Sequence, residues 1–170
     1  MFNKCYSLTS APALPATELA RGCYEHMFDD CTSLTSAPAL PATELAINCY
    51  KWMFSNCTSL TSAPELPATT LAEGCYSAMF AYCRSLLTAP ALPAEILTSW
   101  CYDMMFYQCN LLSSMNVSFT DWNNTTYKTD NWVYNVAPTG IFYKPSALPE
   151  EYGSRFIPSG WTVTINSYNA

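Results

Sequence analysis

Apolar residues in the first two thirds of the chain recur at fixed places in a 26-residue cycle and form no long runs. Within one cycle they fall at Leu8, Ala11, Leu14, Leu19, Cys23-Tyr24, Met27-Phe28 and Cys31, separated by polar, small or proline residues. The string SLTSAPALPATELA at Ser7–Ala20 returns unchanged at Ser33–Ala46. It returns with two changes at Ser59–Ala72, and more loosely, as SLLTAPALPAEILT, at Ser85–Thr98. Each copy leads into Cys-Tyr-x-x-Met-Phe-x-x-Cys. A fixed period of this length is the mark of stacked units, and it gives four full units over roughly 1–104 with a fifth that fades after Leu112.

Each unit can be read locally. Leu8–Ala11 is a short β-prone run stopped by Pro12, and Pro12 with Pro15 makes a stiff extended corner. Thr17 reads as a helix N-cap with Glu18 suited to the positive helix end. A first helical turn at Leu19-Ala20 is expected to stop at the slot held by Gly22, Asn48, Gly74 and Trp100, where the first three residue types tolerate a positive φ. A second helical turn is expected from Cys23-Tyr24 to Met27-Phe28, with the four-residue spacing of Leu19, Cys23, Met27 and Cys31 pointing one stripe inward. One unit cannot bury that stripe alone, whereas neighbours in a stack can. From about Ser113 the composition shifts toward Asn, Thr, Trp and Tyr. There Thr129–Val136 reads as a short helix ended by Gly140, and Ile141–Tyr143 and Trp161–Ile165 read as strands. The expected fold is an α/β repeat solenoid: short parallel strands and short helical turns over 1–112, closed by a small α+β cap over 113–170 that covers the last open rung.

The spacing Cys31-x-x-Leu34-x-x-Ala37, then Leu40-Pro41, Cys49 and Met53-Phe54-x-x-Cys57, resembles the BspA-like leucine-rich repeats of bacterial surface proteins. Units of that family run Cys-x-x-Leu-x-x-Ile, Leu-Pro, Ile-Gly, Ala-Phe-x-x-Cys. Here Ala37 stands for the first Ile, Cys49 for the second and Met53 for the Ala, and the unit is longer by a residue in its Ala-Pro-Ala-Leu-Pro corner. The segments Asn135–Lys144 and Ile157–Val163 look like the closing segment of such proteins. The resemblance covers about the first 112 residues. It implies a leucine-rich-repeat-like stack with a parallel sheet on one side, displayed outside the cell or at its surface and used in adhesion.

Composition narrows the function classes. Half of the residues are apolar and 12% are charged, too apolar for a disordered chain, yet no apolar run is long enough for a membrane span. A net charge of -6 repels phosphate backbones and argues against nucleic acid. Met1 shares its slot with Met27, Met53, Met79 and Met105, so the chain is expected to open inside a unit of a longer protein or a shortened gene, and no basic start or apolar signal segment precedes it. An open N-terminal unit is also expected to self-associate.

Nine cysteines alternate at spacings of 18 and 8, without the tight pairs and histidines of zinc sites, so no metal or other cofactor is expected. Two readings stand for them. They are buried thiols acting as small apolar groups, or they pair as Cys23–Cys31, Cys49–Cys57, Cys75–Cys83 and Cys101–Cys109. A continuous helix would hold i and i+8 about 12 Å apart, which favours thiols. No catalytic residue stands out. The lone His26 occupies a slot that other units fill with Trp52, Ala78 and Met104, and the Asp29-Asp30 pair lacks the further oxygens of a calcium loop.

The slots that vary between units recur every four residues, at 21–22, 25–26, 29–30 and 32 and their equivalents, and should share one exposed face. They hold His26, Lys51, Trp52, Tyr82, Arg84, Trp100, Met104 and Tyr107, aromatic rings with scattered charges, which is the make-up of a recognition surface. Taken with what the resemblance implies, the expected function is a non-enzymatic extracellular binding or adhesion module of a bacterial surface protein, for a host or microbial surface protein or a glycan. The alternative is a structural stalk or fibre segment of a cell-surface or phage protein.

Overall fold

The computed structural model describes residues 1–122 and 126–166, so the last four residues of the 113–170 segment lie outside it. The described residues contain no helix, and their only strands are β1 (Ser114–Asn116), β2 (Ile141–Lys144) and β3 (Thr162–Ile165). These join in one parallel sheet of order β1-β2-β3. An α/β solenoid of strands alternating with helical turns is thereby overturned, as is the helix expected over 129–136. The strands expected at 141–143 and 161–165 are present as β2 and β3.

What replaces the helical turns is a ribbon of overlapping tight turns. In the second unit, every second N–H closes a turn onto the carbonyl three residues back: Cys49 onto Ala46, Lys51 onto Asn48, Met53 onto Tyr50 and Ser55 onto Trp52. The N–H groups between them leave the ribbon. Tyr50 N–H donates to Cys75 O at 3.0 Å, Trp52 to Ser77 O at 2.9 Å and Phe54 to Met79 O at 2.9 Å, each in the following unit. An α-helix would keep all of these bonds to itself. It is broken here because φ is positive at every fourth residue: Asn48 (56°), Trp52 (57°) and Asn56 (55°), and likewise Gly74, Ala78 and Tyr82 in the next unit. The Gly22 slot does hold a positive φ, but it ends no helical turn, and the same conformation recurs twice more in each unit.

The same accounting explains why the Leu8–Ala11 run yields only an isolated bridge, Ser10↔Ser36, and Thr88 another, to Ser114. Pro12, Pro38, Pro64 and Pro90 occupy one slot and bring no N–H to a ladder. Twenty-six residues after Pro90 the slot holds Asn116, and there β1 forms and pairs in register with β2, Asn116 opposite Tyr143.

Side chains stack in columns between ribbons. The rings of Phe2, Phe28, Phe54, Phe80 and Phe106 follow one another at 5.6–5.8 Å with planes within 8°. Tyr24, Tyr50, Tyr76 and Tyr102 do the same at 5.8–6.1 Å. Leu34, Leu60, Leu86 and Leu112 are fully buried beside them, and so are Met53, Met79 and Met105.

The nine cysteines are free thiols, seven of them buried. Cys57, Cys83 and Cys109 donate Sγ–H to the carbonyls of Phe28, Phe54 and Phe80 at 3.0–3.2 Å. Burial pushes the Cys49 and Cys101 thiols up to about 11 and Cys109 up to about 12, so none of the three is a nucleophile at neutral pH. A thiol reagent added to the native protein is expected to label exposed Cys23 quickly, half-buried Cys5 more slowly, and the other seven only on unfolding. Rapid labelling of Cys75 or Cys83 in native buffer would contradict this packing.

Candidate functional site

The turn ribbons present one outer face, and its geometry follows from the left-handed positions. A positive φ suits Gly, Asn or Asp, and a bulky residue held there is strained by on the order of 1–3 kcal/mol. Gly22, Asn48, Gly74, Asp30 and Asn56 obey that preference. Trp52, Tyr82, Trp100 and Met104 do not, with φ between 51° and 63°. Four of the eight candidate residues are therefore large side chains in conformations that disfavour them.

Two grooves open on this face. The first, about 390 Å³, has Trp52 and Trp100 in its walls and Asn48, Lys51, Ser77 and Asp103 among its polar groups, with Gly74 and Glu73 completing the lining. It exists because the third unit carries small residues where its neighbours carry rings. Gly74 stands in the Trp100 slot, and buried Ala78 in the slot of His26 and Trp52. Asn48 reaches over Gly74 closely enough that a Cβ there would meet Asn48 Oδ1 at 2.2 Å. The second groove, about 460 Å³, is lined by His26, Asp29, Asp30, Trp52, Ser55, Asn56, Tyr82 and Arg84. Trp52 belongs to both grooves, and its ring stacks on His26 at 5.9 Å with planes 5° apart.

The structure thus gathers Lys51, Trp52 and Trp100 in one groove and His26, Trp52, Tyr82 and Arg84 in the other. Tyr107 and half-buried Met104 line neither groove. Tyr107 packs edge-on against Tyr82 at 5.4 Å and flat on Tyr134 at 5.0 Å, and Trp100 rests one face on Tyr127 at 4.5 Å. Ser55 and Asn56 share variable slots with Tyr107 and Tyr82, and Ser77 and Asp103 share one with Lys51. Small polar residues in such slots carry no signal of their own in the sequence. Glu73 and Asn48 occupy the variable 21–22 slots, and the groove geometry gives them a place in the site.

Carboxylates supply most of the charge. His26 Nδ1 lies 2.8 Å from Asp29 Oδ2, and Asn56 Nδ2 donates to Asp30 Oδ1 at 2.6 Å. Ser77 Oγ is 3.5 Å from Asp103 Oδ2. Burial, reinforced by nearby Asp130, pushes Asp103 up to about 6, while the Ser77 hydroxyl and Lys51 pull the other way. A carboxyl whose folded pKa lies above its unfolded value of 3.8 stabilises the fold by holding its proton. That contribution is complete below pH 3.8 and is lost as pH rises through about 6. Asp103→Asn is therefore expected to raise stability at pH 7.5 by about 1 kcal/mol, discounted for its partial exposure, and to change nothing at pH 3.5. Urea midpoints at the two pH values measure the difference.

Among the described residues no three His, Cys, Asp or Glu side chains gather as metal ligands, and no helix is long and apolar enough to cross a membrane. No protein-family model matches the chain, and no curated protein or solved structure is significantly similar to it.

Proposed function

We propose that the chain is a non-enzymatic binding module whose turn-ribbon face holds a ligand against Trp52 and Trp100. The observation that carries this reading is Trp52 itself: a large ring kept at φ 57°, where Asn or Gly would cost less, standing as the shared wall of two grooves. Backbone strain held by the surrounding structure clusters at binding sites. Display at a cell surface is part of the proposal and rests on the resemblance of the Cys-x-x-Leu and Met-Phe-x-x-Cys units to bacterial surface repeats.

The test uses substitutions that the protein itself shows to be tolerated. Ala78 occupies the Trp52 slot and Gly74 the Trp100 slot, with the same left-handed backbone. Trp52→Ala with Trp100→Gly is expected to leave the melting temperature within a few degrees of the parent. On an array of surface proteins and glycans, the same double variant should lose the parent's binding by on the order of 30-fold or more. Unchanged binding by the double variant would return the chain to the role of stalk or spacer.

A further inference from the structure

Resting on that reading of the face, we infer that its ligand is an oligosaccharide of neutral or amino sugars, laid across the ribbons from one groove to the other over Trp52. The first ground is continuity. The two grooves share a wall, so a ligand filling both must be elongated and must present flat apolar patches at intervals, as a chain of sugar rings does to the aromatic rings lining both grooves.

The second ground is the polar lining. Asn48, Ser77, Lys51 and the carboxylates Glu73 and Asp103 offer donors and acceptors side by side. A sugar hydroxyl donates one hydrogen bond and accepts others, so it matches such a mixed set, whereas an apolar side chain would leave those groups unpaired. The third ground is what the backbone withholds. Peptide ligands commonly bind through free main-chain groups at a strand edge or through a contiguous apolar groove. Beneath the grooves the N–H groups of His26, Trp52 and Ala78 are committed to the carbonyls of Lys51, Ser77 and Asp103, and those of Lys51 and Ser77 to turns. Recognition must run through side chains: the stacked His26–Trp52 pair, Tyr82 and Trp100, set among polar groups in the two linings. Charge then selects among glycans. Asp29, Asp30, Glu73 and Asp103 outnumber Lys51 and Arg84 in the two linings, and the chain carries -6 overall, so sulfated or uronic-acid chains are repelled.

Calorimetric titration of the full chain with length series of glucose, mannose and N-acetylglucosamine oligomers, and with heparin fragments, tests the inference. At least one of the uncharged series is expected to bind, with affinity rising with the number of rings until both grooves are filled. Heparin fragments are expected not to bind. Trp100→Gly should lower affinity for the long oligomers while sparing the short ones that fit the second groove, and Trp52→Ala should lower both by on the order of 30-fold. Tightest binding to heparin, or affinity independent of length, overturns the glycan assignment. So does failure of every uncharged series while a protein ligand still depends on Trp52, an outcome that leaves the binding module standing. If Trp52→Ala alters the binding of no ligand of any class, both readings fall.

Discussion

Phe80→Ala is expected to destabilise the protein by about 3–5 kcal/mol, near the upper end for a single core truncation. Phe80 is fully buried at the centre of the phenylalanine column, 5.7 Å from Phe54 and 5.8 Å from Phe106, with planes 7° and 4° apart. That spacing is set by the hydrogen-bonded distance between ribbons. The neighbouring rings therefore cannot close the gap unless the ladder is broken, for instance at Phe54 N–H to Met79 O or Phe80 N–H to Met105 O. A cavity that cannot collapse costs the most for a given side chain. At about 2–4 °C per kcal/mol for a chain of this size, the melting temperature should fall by roughly 10 °C. Phe2→Ala is the control. Phe2 has one stacking neighbour and is only half-buried, so its loss should cost about 1 kcal/mol. Equal losses for Phe2→Ala and Phe80→Ala would mean that the column does not carry the core.

The sequence announces this column and the positions that form it, but not the backbone that carries it. Leu, Met, Phe, Tyr and Cys recur in phase because each must meet its equivalent in the next unit, and burial follows from that phase alone. A four-residue spacing of apolar positions is equally the signature of an α-helix and of a ribbon that turns left-handed every fourth residue. Periodicity cannot separate the two, since it reports which side chains face inward and not where the N–H groups go. The decisive sign was visible but weak: Gly22, Asn48 and Gly74 in one slot, Asp30 and Asn56 in another. Trp52, Tyr82 and Trp100 masked it, because their residue types argue against a positive φ. The candidate site was legible to the extent that variable slots share a face. The grooves themselves depend on small residues, Gly74, Ser77 and Ala78, which pattern reading discounts.

A second gap lies beyond Leu112, where the motif fades and the ladder does not. Trp100, Tyr102, Met104, Phe106 and Gln108 donate N–H groups to the carbonyls of Thr126, Lys128, Asp130, Trp132 and Tyr134. Positive φ returns at Tyr127, Asn131 and Asn135, again four apart. Ser114 opposite Ile141 sets the offset from the fourth ribbon to this fifth one at 27 residues. One inserted residue, together with Lys128, Thr129 and Val133 standing where Cys101, Tyr102 and Phe106 stand one ribbon earlier, hides a fifth ribbon from a search for a 26-residue period.

That fifth ribbon is where the second large effect is expected. Trp132 is fully buried and meets four rings: Tyr102 at 6.3 Å, Phe119 at 6.0 Å, Trp122 at 6.1 Å and Phe142 at 6.3 Å. Its Nε1–H donates to Phe156 O at 3.0 Å. It therefore ends the tyrosine column, fills the space beneath β2 and ties the 150–158 segment to the ribbon. Trp132→Ala removes all three at once and is expected to cost about 3–5 kcal/mol, part of it from the stranded Phe156 carbonyl. Trp132→Phe keeps most of the packing and loses only the hydrogen bond, so about 1–2 kcal/mol is expected from it. The ribbons exchange hydrogen bonds only with their neighbours, so damage at Trp132 should loosen the C-terminal end before the rest. Amide hydrogen exchange should show early loss of protection over 126–165 in Trp132→Ala while 48–83 stays protected. Uniform loss of protection along the whole chain would instead mean that the ribbons unfold as one cooperative body and that Trp132 holds no separable end.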